Sequence, residues 1–218
     1  EQNQPYPLAR NTKYNNAYFQ DDFNNDELGM HWTSRRVPKE NAIDLNLQPG
    51  FLRMKYLPQT IGERKAYNFL GIKQQESQFE LVTSMQFNNK LNGEEAGFCL
   101  IQKDDNYILF DVKREDNENV LQLVIKPHDK EAYIKKDLVL NKKTKQLELK
   151  IMANKDHYNY YYRLKSNDIW INFDQTSNDV LISRGYTGAH LGLYATCNGG
   201  KSVSSAAFEL MTYKNVIP

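Results

Sequence analysis

Run after run of this chain places apolar side chains at every second position, and no other feature limits its possible folds as tightly. Phe79, Leu81, Thr83, Met85 and Phe87 share one side, with Glu80, Ser84 and Gln86 on the other. Ile108, Phe110 and Val112 alternate with Leu109 and Asp111, and Leu121, Leu123 and Ile125 with Gln122 and Lys126. Leu147, Leu149 and Ile151 alternate with Glu148 and Lys150, and Ala189, Leu191, Leu193 and Ala195 with His190, Gly192 and Tyr194. Successive side chains of a strand point to opposite faces, so this period marks strands with one buried face. Turn residues separate the runs: Asn92-Gly93, Asp104-Asp105-Asn106, Asp116-Asn117-Glu118-Asn119, Ser166-Asn167-Asp168 and Asn198-Gly199-Gly200. Short strands at regular spacing, without a long helical pattern, predict an all-β fold, a two-sheet antiparallel β-sandwich. About a dozen strands fit two sheets of about six each around one core.

Two passages resist the alternation. Residues 172–183 are mixed and read as a short helix or a long loop. Residues 56–66 carry Pro58, Gly62 and several polar side chains, and read as a loop. No self-similar period of about 20–50 residues is present, which argues against a propeller or solenoid. Residues 1–17 are polar and Asn-rich with Pro5 and Pro7, and read as a linker or N-terminal arm ahead of a domain over 18–218. A leading linker carries the expectation that another domain stands before it.

At 218 residues the chain is long enough to bury roughly 70% of its extended surface in one core. Lys+Arg 28 against Asp+Glu 27 leaves a net charge of +1, which offers no footprint for nucleic acid or an anionic membrane. The local cluster Lys142-Lys143-Thr144-Lys145 reads as a solvated turn. No apolar run approaches the ~18 residues of a membrane-spanning helix. Cys99 and Cys197 each sit in an apolar run and read as buried free thiols.

Few residues suggest chemistry. His31, His128, His157 and His190 are far apart, with no Cys or His at metal-ligand spacing, and read as surface or rim residues. A Gly-x-Ser-x-Gly elbow is absent. Gly199-Gly200-Lys201-Ser202 lacks the upstream glycine and following helix of a phosphate loop and reads as a hairpin. Tyr158, Tyr160, Tyr161 and Tyr162 cluster on one strand. Rings of this kind stack on sugar C–H faces, but Tyr158, Tyr160 and Tyr162 share a strand face, which favours packing. Trp32 and Trp170 read the same way, Trp32 as a packing anchor.

Three blocks, taken in order, carry a resemblance. The first holds Asp21-Asp22-Phe23, Leu28-Gly29, Trp32, Arg35-Arg36-Val37-Pro38 and Pro49-Gly50-Phe51-Leu52-Arg53-Met54. The second holds Lys73-Gln74-Gln75, Phe79-Glu80-Leu81 and Thr83. The third holds Gly185-Tyr186-Thr187-Gly188-Ala189 and Leu191-Gly192-Leu193. Over about residues 18–213 the set resembles the C-terminal concanavalin A-like domain of β-xylosidases and α-L-arabinofuranosidases in glycoside hydrolase family 43.

The resemblance implies a concanavalin A-like jelly roll and a non-catalytic accessory role in plant polysaccharide breakdown. The catalytic carboxylates would belong to a five-bladed β-propeller, in the same polypeptide or a separate chain, acting on xylan- or arabinan-derived saccharides. None of them maps onto this chain. A substrate-pocket loop maps to Lys73, Gln74 and Gln75. Here the chain departs from its relatives, with Ile72 in place of a basic residue and Glu76 in place of a histidine. The resemblance points to a periplasmic or extracellular setting and requires no cofactor. A structural calcium of related sandwiches would draw on Asp21, Asp22 and Glu209. The Glu-x-Asp-x-x-Glu run of sandwich glycosidases is absent, and Glu115-Asp116-Asn117-Glu118 sits in a turn at the wrong spacing. The alternative is a free-standing lectin-like carbohydrate-binding module.

Overall fold

A computed structural model describes residues 18–181 and 188–216. The expected linker at 1–17, and Gly185-Tyr186-Thr187 of the third block, lie outside the described residues. The strands are β1 (Tyr18–Asp21), β2 (Ile43–Asp44), β3 (Leu52–Lys55), β4 (Asn68–Lys73), β5 (Phe79–Gln86), β6 (Glu95–Lys103) and β7 (Asn106–Glu115). They continue with β8 (Glu118–Lys126), β9 (Tyr133–Val139), β10 (Gln146–Ala153), β11 (His157–Arg163), β12 (Ile171–Ser177), β13 (His190–Thr196) and β14 (Ser205–Asn215). An eight-stranded sheet runs β12-β11-β10-β5-β14-β3-β2, with β1 also on β14, and a six-stranded sheet runs β4-β13-β6-β7-β8-β9. Pairing within both sheets is antiparallel. The layers are those expected, split eight and six instead of evenly.

The alternating runs face the core as their period requires. Phe79, Leu81, Met85, Leu147, Leu149, Ile151 and Phe208 line the eight-stranded sheet's inner side. Phe98, Leu100, Ile108, Phe110, Leu121, Leu123, Leu191 and Leu193 line the other. The layers meet where the Phe110 ring packs against Tyr160 at 5.3 Å and Phe173 at 5.4 Å. Burying a tyrosine hydroxyl needs a partner, and Tyr160 finds Thr176 Oγ1 at 2.9 Å. Thr83, the polar member of its run, donates Oγ1 to the Leu210 carbonyl at 2.7 Å, beside a bulge in β14. Tyr158 and Tyr160 are core residues, and Tyr162 packs edge-on to Phe173. Trp32 anchors the opening segment, between Phe19 and Phe23 with Nε1 donating to Asp21 Oδ2 at 2.7 Å. Cys99 and Cys197 are buried free thiols.

Turn chemistry fixes the β7–β8 hairpin. Asp116 and Asn117 both take positive φ, 48° and 65°, and Glu115 pairs with Glu118 across them. This is the two-residue turn whose twist matches that of the strands, and Asp and Asn tolerate it best.

Two expectations need correction. Residues 171–177 form a strand, β12, and the short helix expected over 172–183 is confined to the 3-10 turn Asn178–Leu181. Only Phe173 and Thr176 of β12 are buried, because it is an edge strand beside a bulge at Tyr160/Tyr161, so its alternation is weak. Gly199-Gly200-Lys201-Ser202 is not a hairpin: it carries the chain from β13 in one sheet to β14 in the other. The 56–66 loop also contains a 3-10 turn, Ile61–Glu63, whose Ile61 is buried.

Candidate functional site

The predicted loop residues gather at one end of the sandwich. Lys73 closes β4 opposite His190 and is exposed. The chain then turns: Gln74 N–H donates to the Ala189 carbonyl at 2.9 Å, and its side-chain Nε2 donates to the Glu76 carbonyl at 2.9 Å. Glu76 N–H is received by the Tyr213 hydroxyl at 3.1 Å, which ties the loop to the last strand. A cleft of about 320 Å³ opens here, lined by Gln74, Gln75, Glu76, Tyr158, Asn178 and Gly188 among others. Burial pushes the Tyr158 phenol up to about 12, so it stays protonated, while a hydrogen bond with Gln74 pulls the other way. Burial, and then the charges of Arg35 and Lys73, hold the His190 imidazole below its ordinary value. The loop therefore offers amides, a carboxylate, a phenol and a cation, groups that hydrogen-bond sugar hydroxyls. Tyr158 and Asn178 join Gln74 and Gln75 in lining this cleft, a grouping the sequence does not signal because they arrive from β11 and the 3-10 turn after β12.

The calcium candidates Asp21, Asp22 and Glu209 each accept a local hydrogen bond. Asp21 accepts Phe23 N–H at 2.9 Å and Trp32 Nε1–H at 2.7 Å. Asp22 accepts Asn24 N–H at 3.3 Å, and exposed Glu209 accepts the Ser84 hydroxyl at 3.0 Å. Among the described residues, the one group of three acidic or imidazole ligands within 4.8 Å of one another is Asp105, His128 and Asp129, at the rim of the β6–β7 turn.

A second cleft lies outside the six-stranded sheet, where the alternation places side chains away from the core. Its strands put Glu95 opposite Lys113 and Asp111 opposite Gln122. Asp111 is fully buried. Its Oδ1 accepts Gln122 Nε2–H at 3.0 Å, and its Oδ2 receives no N–H or neutral O–H donor. The Glu95 carboxylate lies within hydrogen-bonding reach of Asp111, and its own Oε2 accepts Asn198 Nδ2–H at 2.7 Å. Burial first, then the Glu95 charge and their mutual hydrogen bond, raise the Asp111 carboxyl well above its usual range.

A family model described as the β-xylosidase C-terminal concanavalin A-like domain matches residues 20–214. The chain belongs to this family. Among curated relatives, a xylosidase/arabinosidase of Butyrivibrio fibrisolvens is 28% identical over 180 residues, spanning 81% of this chain and 34% of the relative. A non-reducing end α-L-arabinofuranosidase of Bacteroides ovatus is 25% identical over 203 residues, covering 89% and 36% respectively. Of solved structures, a GH43 protein from Bacillus licheniformis superposes with a TM-score of 0.81 at 23% identity, over 94% of this chain and 40% of that one. The chain of this family domain therefore spans about a third of the length of these curated relatives.

Proposed function

We propose that this domain is the non-catalytic accessory sandwich of a family-43-like glycoside hydrolase, seated on a catalytic β-propeller and shaping its substrate pocket through the Gln74–Gln75 loop. One observation carries the reading: two relatives named for sugar-releasing activities contain this domain as only 34% and 36% of their length. A family member built that way has room for a separate catalytic domain. The loop's contribution is hydrogen bonding and shape, with xylan- or arabinan-derived chains as the substrates it would help hold.

The test is hydrolysis of p-nitrophenyl β-D-xyloside and α-L-arabinofuranoside. The 218-residue chain alone is expected to be inert. Joined to a catalytic propeller of the family, it is expected to raise kcat/KM. Gln74→Ala with Gln75→Ala should then cut that value about tenfold, the equivalent of one or two lost hydrogen bonds. Turnover by the isolated chain would overturn the reading.

A further inference from the structure

The cleft outside the six-stranded sheet belongs to no part of the function proposed above. It lies on the layer's outer face, whereas the Gln74–Gln75 loop sits at the sandwich end. Most of that outer face is filled: Ile61, Tyr67, Phe69, Cys99, Ile101 and Tyr194 pack as a second small core beneath the 56–66 loop. The filling stops at Leu109 and Val124, where a cleft of about 260 Å³ opens between Ile61 and Tyr194 on one side and Ala132, Tyr133 and Ile134 on the other. Its floor is apolar. Its far end is polar, with Glu95, Lys113, Gln122 and Asn198 lining it.

This combination is costly unless something uses it. Burying two carboxyls side by side, with Asp111 Oδ2 lacking a donor, costs free energy that an apolar filling like that of the neighbouring rows would not. The backbone is arranged to permit it. Gly97 lies opposite Asp111, and a Cβ on Gly97 would stand 2.5 Å from Asp111 Cα and 2.6 Å from Asp111 Cβ. An apolar cleft with a few convergent polar groups is the usual form of a small-ligand site.

We propose that this cleft binds a single uncharged sugar ring. Its volume lies below the ~300–1,000 Å³ of sites for drug-sized ligands, which favours one ring over a chain. Tyr133 is 50% exposed beside the cleft and Tyr107 lines it, so phenol rings are available for the apolar face of a sugar. Carboxyl, amide and ammonium groups at the far end match vicinal hydroxyls, which both donate and accept. Charge decides between ligand classes. Glu95 and Lys113 line the far end and stand opposite each other, one charge of each sign, so a ligand of either charge meets a like charge there. A neutral polyol meets neither penalty.

Titrating the isotope-labelled 218-residue chain with D-xylose, L-arabinose, D-glucose, D-glucuronate and Ca²⁺, followed by amide chemical shifts, tests this. At least one neutral sugar should bind at about millimolar Kd, as suits about ten heavy atoms, with shifts centred on Tyr107, Gln122 and Tyr133. D-Glucuronate should bind more weakly than D-glucose. Tyr133→Ala, at a half-exposed position, should keep the unfolding midpoint and weaken the sugar about fivefold, and Gln122→Ala should weaken it further. Silence from every neutral sugar at about 50 mM, roughly fifty times the expected Kd, would overturn the proposal. So would shifts centred on residues 74–77, tighter binding of glucuronate or Ca²⁺, or an unchanged affinity in Tyr133→Ala. None of these results bears on the propeller-dependent activity, so the two readings fail separately.

Discussion

The two faces of the six-stranded sheet are made by the same strands and obey different rules. On the inner face Phe98, Phe110, Leu121 and Leu193 are fully buried against the opposing sheet in an apolar cluster. One residue along each strand, the outer face is buried almost as deeply but is chemically mixed. Cys99, Leu109 and Tyr194 sit beside Asp111, Glu95 and Gln122, all under 9% exposed. Burial alone therefore does not identify the core. The inner face is closed by a second sheet and has no choice but to be apolar. The outer face is closed by the 56–66 loop and the segment before β9, a cover that leaves an opening in which polar groups persist.

The sharpest way to break this comparison is to truncate neighbours that point opposite ways. Phe110→Ala should cost about 4 kcal/mol, because the inner face cannot collapse around the cavity. Next comes Gly97→Ala. Its Cβ would meet backbone, Asp111 Cα at 2.5 Å and the Phe110 carbonyl at 2.7 Å, so the strands must separate and about 3 kcal/mol is expected. Leu109→Ala on the outer face should cost about 2 kcal/mol or less, since it borders a cleft open to water. Chemical denaturation of the three variants against the parent chain gives the order. If Leu109→Ala matches Phe110→Ala, the two faces are equivalent and the comparison fails.

The smallest effect has the opposite sign. Asp111 has a folded-state carboxyl raised above its unfolded value, so its stabilising contribution is complete only below the ordinary carboxylate range, about pH 4. That contribution declines as pH rises toward the folded value, because the unfolded chain gives up its proton first. Asp111→Asn keeps an acceptor for Gln122 and presents an amide donor to Glu95. It should stabilise the domain by about 1 kcal/mol at neutral pH and flatten the decline of Tm as pH rises above about 4. Thermal unfolding over that rise checks it, and a variant less stable than the parent at pH 7 would show that the buried charge is accommodated by other means.

Much of this was legible before any coordinates. The alternating runs at 79–87, 108–112, 121–125, 147–151 and 189–195 became strands with the stated faces inward. The Asp116-Asn117 turn, the Trp32 anchor and the buried thiols also hold in the structure. The strand β12 was not legible because an edge strand buries too few residues to show a period. Gly199 to Ser202 looked like a hairpin because turn residues signal reversal without saying to which sheet the chain returns. The two clefts differ in how far the sequence led. Lys73, Gln74 and Gln75 are singled out only by the resemblance, while Asp111 and Gln122 were visible only as the polar partners of their strands. Their meeting depends on register between β7 and β8, and Glu95 joins them from a third strand.

Side-chain period and turn chemistry are local, and they were enough to determine the all-β class, the antiparallel layers and most of the residues in the core. Which strand neighbours which, which loop closes the outer face and where that closure leaves a gap depend on contacts between residues far apart in the chain. Those contacts also set the proton of Asp111, because a carboxyl titrates in response to what folding places beside it and not to its neighbours in sequence.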